Sequence, residues 1–125
     1  MSRPALLLVD HGSTREEAND LLRQVAEMVA ARGGVKIVRY AHMEIAKPTI
    51  AEAFAECAAA GASEVVVHPY FLGPGKHTTF DIPRLVKEAA AAHPGVIWRI
   101  TEPLGLHPKI CDVVLERMDA AGKKG

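Results

Sequence analysis

The chain alternates short apolar runs with longer stretches in which apolar positions recur every three or four residues. Ala5-Leu6-Leu7-Leu8-Val9 is continuous rather than alternating, the pattern of a strand covered on both faces, as in a parallel sheet. His11-Gly12-Ser13 breaks that run. A helix is predicted next, opened by a capping box of Ser13 with Glu16 or Thr14 with Glu17. Ala18, Leu21, Leu22, Val25, Met28 and Val29 would form its inward face, and Gly33-Gly34 would end it. Residues 35–42 read as a second strand. After Pro48, Thr49 with Glu52 is another capping box, opening a helix with Ile50, Ala53, Phe54 and Cys57 as its buried stripe and Gly61 as its stop. Residues 64–71, built around Val65-Val66-Val67, read as a third strand, and residues 72–79 as a Gly/Pro-rich loop. Asp81 can cap a third helix, with Pro83 tolerated in its first turn and Ile82, Leu85, Val86 and Ala89 facing inward. Residues 96–101 read as a fourth strand, and Pro108 opens a last helix carrying Ile110, Val113, Val114 and Met118.

The order is therefore strand–helix repeated along the whole chain. Parallel strands need helical crossovers, and those crossovers are right-handed. The fold class expected is α/β: a single three-layer domain over residues 1–125, with a four-stranded parallel sheet and helices on both faces. Residues from about 119 to 125, with Lys123 and Lys124, read as a flexible tail. So small a sheet has edges that need cover, and a homodimer would supply it.

Composition narrows the function classes. Lys+Arg and Asp+Glu are equal at 15 each, so the basic excess of a nucleic-acid binder is missing. Aromatic residues are only 5%, which argues against a base-stacking surface. The two cysteines, Cys57 and Cys111, form no CxxC pair and are read as core residues in a reducing compartment. The apolar run at residues 5–9 is too short for a signal segment or a membrane span. A cytoplasmic protein with no membrane partner is expected.

The six histidines carry the chemistry. In open α/β sheets, ligands bind beyond the carboxyl ends of the strands. His11 follows the first strand, His42 and Glu44 the second, Lys76 and His77 the third, and Glu102 and His107 the fourth. Imidazole or carboxylate thus recurs at one rim, a donor set that suits borderline divalent metals. His11 and His77 are the leading candidates, because one sits at a Gly turn and the other in a flexible loop. Glu44 competes with a plain helix N-terminal charge. His42 reads as a satisfied histidine at a strand end, His68 as a core or edge residue, His93 as a loop residue, and His107 as a helix N-terminal residue. Familiar motifs are missing. Gly73-Pro74-Gly75-Lys76-His77 has the wrong spacing for a phosphate loop, no GxGxxG follows the first strand, and Ser13 is not in GxSxG.

The segments LLLVDHGS, AHMEIAKPTI, HPYFLGPGKHTTFDIP and EPLGLHP together resemble the small class II tetrapyrrole chelatases, in particular the sirohydrochlorin chelatases with their short cobalt-inserting and related iron-inserting forms. The resemblance runs from Ala5 to about Arg117. It implies a lyase that inserts Co²⁺ or Fe²⁺ into sirohydrochlorin in sirohaem or cobalamin biosynthesis, with the metal as substrate and no permanently bound cofactor. It implies an active-site pair at His11 and His77, with Glu44 as a further metal ligand. It also implies a homodimer equivalent to the two halves of longer, internally duplicated relatives. The polyanionic substrate needs rim donors, for which Ser13, Arg15, Lys47, Lys76 and Arg84 are candidates. Two other readings stay open at this point: a phosphate-handling α/β enzyme using His11, and a tetrapyrrole or metal carrier without turnover.

Overall fold

The computed structural model describes residues 3–124, leaving aside the side chains of residues 77, 123 and 124. The elements in chain order are β1 (Pro4–Asp10), α1 (Glu16–Ala31), β2 (Ile37–His42), α2 (Ile50–Ala59), β3 (Glu64–Pro69), a π-helical turn (His77–Asp81), α3 (Ile82–Ala90), β4 (Ile97–Ile100) and α4 (Pro108–Lys124). The strands form one four-stranded sheet in the order β2-β1-β3-β4, and every pairing is parallel. The α/β expectation holds, and its register aligns the strand ends. Asp10 pairs with His42 and Val9 with Pro69, so the segments leaving β1, β2 and β3 start from one rim.

The two faces of the sheet are not equally covered. On one face α2 and α3 bury Ala5, Leu7, Val9, Val65 and Val67 beneath Phe54, Cys57, Ile82 and Val86. Full burial of each such side chain contributes about 1.5–3 kcal/mol. Burial also pushes the Cys57 thiol up to about 11, so this cysteine is an inert core group, as expected. The predicted stripe of α2 is the observed one, and that of α3 is observed at Ile82, Val86 and Ala89, with Leu85 only partly buried and Ala90 buried in addition. The Thr49–Glu52 capping box also forms: Glu52 N donates to Thr49 Oγ1 at 3.1 Å and Thr49 N donates to Glu52 Oε1 at 2.9 Å.

The other face is built by α1 alone, which lays Leu22 and Ala26 on Leu8, with Val25, Val38 and Tyr40 beside them. Here three expectations need correction. The capping box at Ser13 or Thr14 does not form. Arg15 is the N-cap and gives no side-chain bond, whereas Asn19 clamps the turn by accepting from Ser13 N at 2.9 Å and donating to Ser13 O at 2.7 Å. The inward stripe is Leu22, Val25 and Ala26, while Leu21 and Met28 point to solvent. Third, α4 packs no face on the body. Described side chains over residues 111–122 are exposed, Val113, Val114, Met118 and Cys111 among them. Residues 119–124, expected as a tail, continue that helix. Among the described residues no helix is long and apolar enough to cross a membrane.

Candidate functional site

The site is assembled by the turn after β1 and the turn after β2. Gly12 sits at φ +96°, and a Cβ there would lie 2.0 Å from the Glu44 carbonyl oxygen. Only glycine lets these two backbones meet so closely. The contact is completed by Met43 N donating to Asp10 O at 2.9 Å and Glu44 N donating to His11 O at 3.1 Å. The turn after β2 is itself strained. Ile45 adopts φ +74°, a left-handed conformation that a β-branched residue rarely takes. Ala46 N donates back to Glu44 O at 2.8 Å around it, closing a tight three-residue turn.

This backbone brings two predicted residues together. His11 Nε2 and Glu44 Oε1 lie 3.6 Å apart, both partly open to solvent. That is too long for a hydrogen bond. His11 Nδ1 donates to the Gly12 carbonyl at 3.1 Å, which makes Nε2 the basic nitrogen of the neutral ring. An electron-pair donor therefore faces a carboxylate. A divalent ion takes such ligands at about 2.1 Å each, so small side-chain adjustments would let one ion bridge them. An imidazole whose other nitrogen donates to a backbone carbonyl is also the usual orientation of a metal-binding histidine.

Behind this pair lies His42, only 1% exposed. Its Nδ1 donates to Asp10 Oδ1 at 2.5 Å. The sequence reading of His42 as a satisfied strand-end histidine is what the structure contains. Its partner Asp10 was not singled out, and only the register of β1 against β2 reveals it. His68 on β3 meets Thr101 Oγ1 at 2.8 Å, and burial lowers its pKa. His107 accepts from Lys109 N at 3.1 Å at the start of α4, as a helix N-terminal residue should.

The remaining site residues are placed as follows. His77 opens the π-helical turn that leads into α3; its side chain lies outside the described residues. π-helical turns are rare and frequent at functional sites. Arg84 lines a cavity of about 210 Å³ together with Met43, Glu44, Asp81 and Leu85, and it pairs with Glu88 at 3.4 Å and Asp81 at 4.0 Å. Asp81, expected only as a cap, makes no side-chain cap bond and lines the cavity beside Glu44 instead. Lys76 is exposed in the loop next to His77. Ser13 Oγ accepts from Arg15 N at 3.0 Å, and the Arg15 guanidinium is held by Glu17 at 3.2 Å. Lys47 lies away from the cavity, in a groove of about 580 Å³ along the edge strand β2 with Arg23, Arg39 and Glu56. That groove is the larger of the two, yet no histidine lines it. The rim, not the groove, holds the donor chemistry. Among the described residues no cluster of three His, Cys, Asp or Glu side chains could hold a metal ion.

The four-stranded parallel α/β fold is that of a solved sirohydrochlorin chelatase, SirB from Bacillus subtilis subspecies spizizenii, which superposes with a TM-score of 0.87 at 27% identity over 96% of this chain and 51% of that one. Residues 5–121 match the CbiX family model, and the chain belongs to the CbiX family. It is 45% identical over 113 residues to the chloroplastic sirohydrochlorin ferrochelatase of Arabidopsis thaliana, covering 90% of this chain and 50% of that protein. It is 32% identical over 138 residues to the sirohydrochlorin cobaltochelatase of Methanococcus maripaludis, covering 90% of this chain and 96% of that one. The chain thus spans half of the plant relative and nearly all of the methanogen one. Among solved structures, SirB from Bacillus subtilis with Fe³⁺ superposes with a TM-score of 0.88 at 28% identity, over 98% of this chain and 48% of that one. A CbiX protein from Marinobacter aquaeolei shares the fold, with a TM-score of 0.81 at 24% identity over 98% and 99% of the two chains.

Proposed function

We propose that this chain inserts a divalent metal, Co²⁺ or Fe²⁺, into sirohydrochlorin, as a cytoplasmic homodimer. The observation that carries the reading is the His11–Glu44 pair: a basic imidazole nitrogen facing a carboxylate at 3.6 Å on the rim of the sheet. Its support is the company the chain keeps, since its relatives include both iron- and cobalt-inserting enzymes.

The reaction takes one metal ion and one free tetrapyrrole, forms the metal–nitrogen bonds, and releases two pyrrole protons. A chelatase must pass its ion on, so weak binding by few ligands suits the task better than a closed site. His11 and Glu44 hold the arriving ion between them. His77, in the π-helical turn before α3, is the second histidine of the pair, and the two share metal delivery and proton abstraction. Neutral imidazole is a competent base near neutral pH. Arg84 and Lys76 meet substrate carboxylates, with Ser13 and Arg15 as further contacts, while Lys47, in the separate groove along β2, is left out of the scheme. The metal is substrate throughout, and no resident cofactor enters this scheme.

The test is a spectroscopic insertion assay. Purified protein is incubated anaerobically with sirohydrochlorin and Co²⁺ or Fe²⁺, and visible absorption is followed against a no-enzyme control. Turnover in catalytic excess is expected. Stoichiometric binding without turnover would make the chain a carrier instead. His77→Ala should abolish insertion with the fold intact by circular dichroism, and wild-type turnover in that variant overturns the role of His77.

A further inference from the structure

Ile45 combines features that rarely meet in one residue. Its φ is +74°, and Ala46 N donates to Glu44 O at 2.8 Å across it. It therefore sits at the centre of the rare, strained form of the γ-turn. Glycine or asparagine takes a positive φ with little strain, and a β-branched residue does not. The fold gains nothing from the side chain in return. It is 61% exposed and belongs to neither apolar cluster of the core. One exposed apolar residue is ordinary on a protein surface. Here, however, a strained backbone holds that residue out in water, directly after the Glu44 carboxylate that faces His11. Strain of this kind gathers at ligand clamps and active sites.

The site indicates what the side chain meets. The cavity between the turn after β2 and the start of α3 holds about 210 Å³ and is lined by Met43, Glu44, Asp81, Arg84 and Leu85. Pockets for drug-sized molecules run to roughly 300–1,000 Å³, and a tetrapyrrole with its carboxylate arms is larger than those molecules. The cavity can take one arm of such a substrate but not its ring. In the reaction proposed above, the ring must still bring its central nitrogens to an ion held at His11 and Glu44, and it extends past that ion on every side. It therefore lies across the rim, against side chains that stand out beside the ligands. Ile45 follows Glu44 in the chain. Phe80, 66% exposed, precedes Asp81 in the π-helical turn that His77 opens. Both carboxylates lining the cavity are thus flanked in sequence by an exposed apolar residue. A conjugated ring is apolar over its faces and anionic only at its periphery. Apolar contacts suit the face, as cations such as Arg84 suit the edge.

We infer that Ile45 is a substrate-binding residue: its strained turn holds the side chain against the face of the sirohydrochlorin ring while Glu44 beside it meets the metal. The inference rests on the metal-insertion reading and adds where the ring, rather than the ion, is gripped. The contact makes no bond to the metal and moves no proton. It fixes the plane in which the ring meets the ion. An aliphatic group also separates the two substrates, because it can bind the ring and has nothing to offer the metal.

The experiment compares full-length Ile45→Gly, Ile45→Asn and Ile45→Leu with wild type. The thermal midpoint, the affinity for metal-free sirohydrochlorin followed by its own fluorescence, and the KM of insertion for each substrate are measured. Gly and Asn relieve the strain and remove the apolar contact, so their midpoints should equal or exceed that of wild type. Their affinity and KM for sirohydrochlorin should worsen about tenfold, the change expected from losing one buried aliphatic side chain. The metal KM should stay unchanged. Leu keeps the apolar contact and should bind sirohydrochlorin nearly as wild type does. Lower midpoints in both Gly and Asn variants overturn the inference, because the side chain would then be holding the fold. Unchanged sirohydrochlorin affinity in those variants overturns it too. So does a rise confined to the metal KM, which would make the turn a support for Glu44 alone. Wild type that binds sirohydrochlorin without turnover overturns the insertion reading and leaves the ring contact to be decided by the binding titration. Wild type that does not bind it overturns both.

Discussion

At the scale of single residues the site depends on how closely two turns approach. Gly12→Ala places a methyl against the Glu44 carbonyl and adds strain at a positive φ, together costing about 1–3 kcal/mol. The variant should lose insertion activity far more than it loses fold, read as turnover against the thermal midpoint. Glu44→Gln keeps the shape and removes the charge facing His11. The expected outcome is a metal KM raised roughly tenfold or more, with the KM for sirohydrochlorin little changed, because only one substrate meets that carboxylate. His68 gives a pH effect of definite sign. Burial holds its folded pKa below 6.5, so the folded protein binds this proton less readily than the unfolded chain. Stability is therefore full above pH 6.5 and falls as pH drops through 6.5 toward the lower folded value. Denaturant unfolding across that window should show the slope, and His68→Gln should flatten it. Of the site, His11 and Glu44 were legible in the sequence because strand ends announce themselves. Asp10, Asp81 and the left-handed Ile45 were not. Asp10 needs the register to find His42, Asp81 needs the cavity, and nothing in an isoleucine signals φ +74°.

At the scale of elements, α2 is specified most completely and α1 least. α2 has its start written twice, in the apolar stripe and in the reciprocal Thr49–Glu52 bonds. Thr49→Ala should cost about 1 kcal/mol, measured by chemical unfolding, and the same substitution at Thr14 should cost next to nothing, because no cap forms there. The contrast shows why the sequence reading succeeded at one and failed at the other. S/T-x-x-E occurs at both, but near α1 the side chain of Asn19, four residues inside the helix, takes the Ser13 backbone groups. A pattern of local spacing does not reveal which of several polar side chains wins that competition. The stripe of α1 was misread for a related reason. Leu21 and Met28 are apolar and in phase with Leu22 and Val25, yet only one side of that broad band meets Leu8. The strands were legible from their short apolar runs, and only their ends differed: β2 begins at Ile37 rather than Val35, β3 ends at Pro69 rather than Phe71, and β4 spans Ile97–Ile100 rather than residues 96–101.

At the scale of the whole molecule, the buried core and the proposed association should answer differently to protein concentration. The α2–α3 face is closed within one chain, so its stability is a property of the monomer. Phe54, fully buried there, should cost about 3–5 kcal/mol when cut to alanine. α4 was predicted as a helix but not as an exposed one because its periodicity is local, whereas what covers Val113, Val114 and Met118 is not written in that segment. In the proposed homodimer a second chain adds contacts to the folded state, and association of that kind raises the thermal midpoint with concentration by mass action. The protein should therefore melt at a temperature that climbs as it is concentrated, and scanning calorimetry over a hundredfold range of concentration reads the slope. A flat midpoint would overturn the homodimer and leave the metal-insertion reading to its own assay.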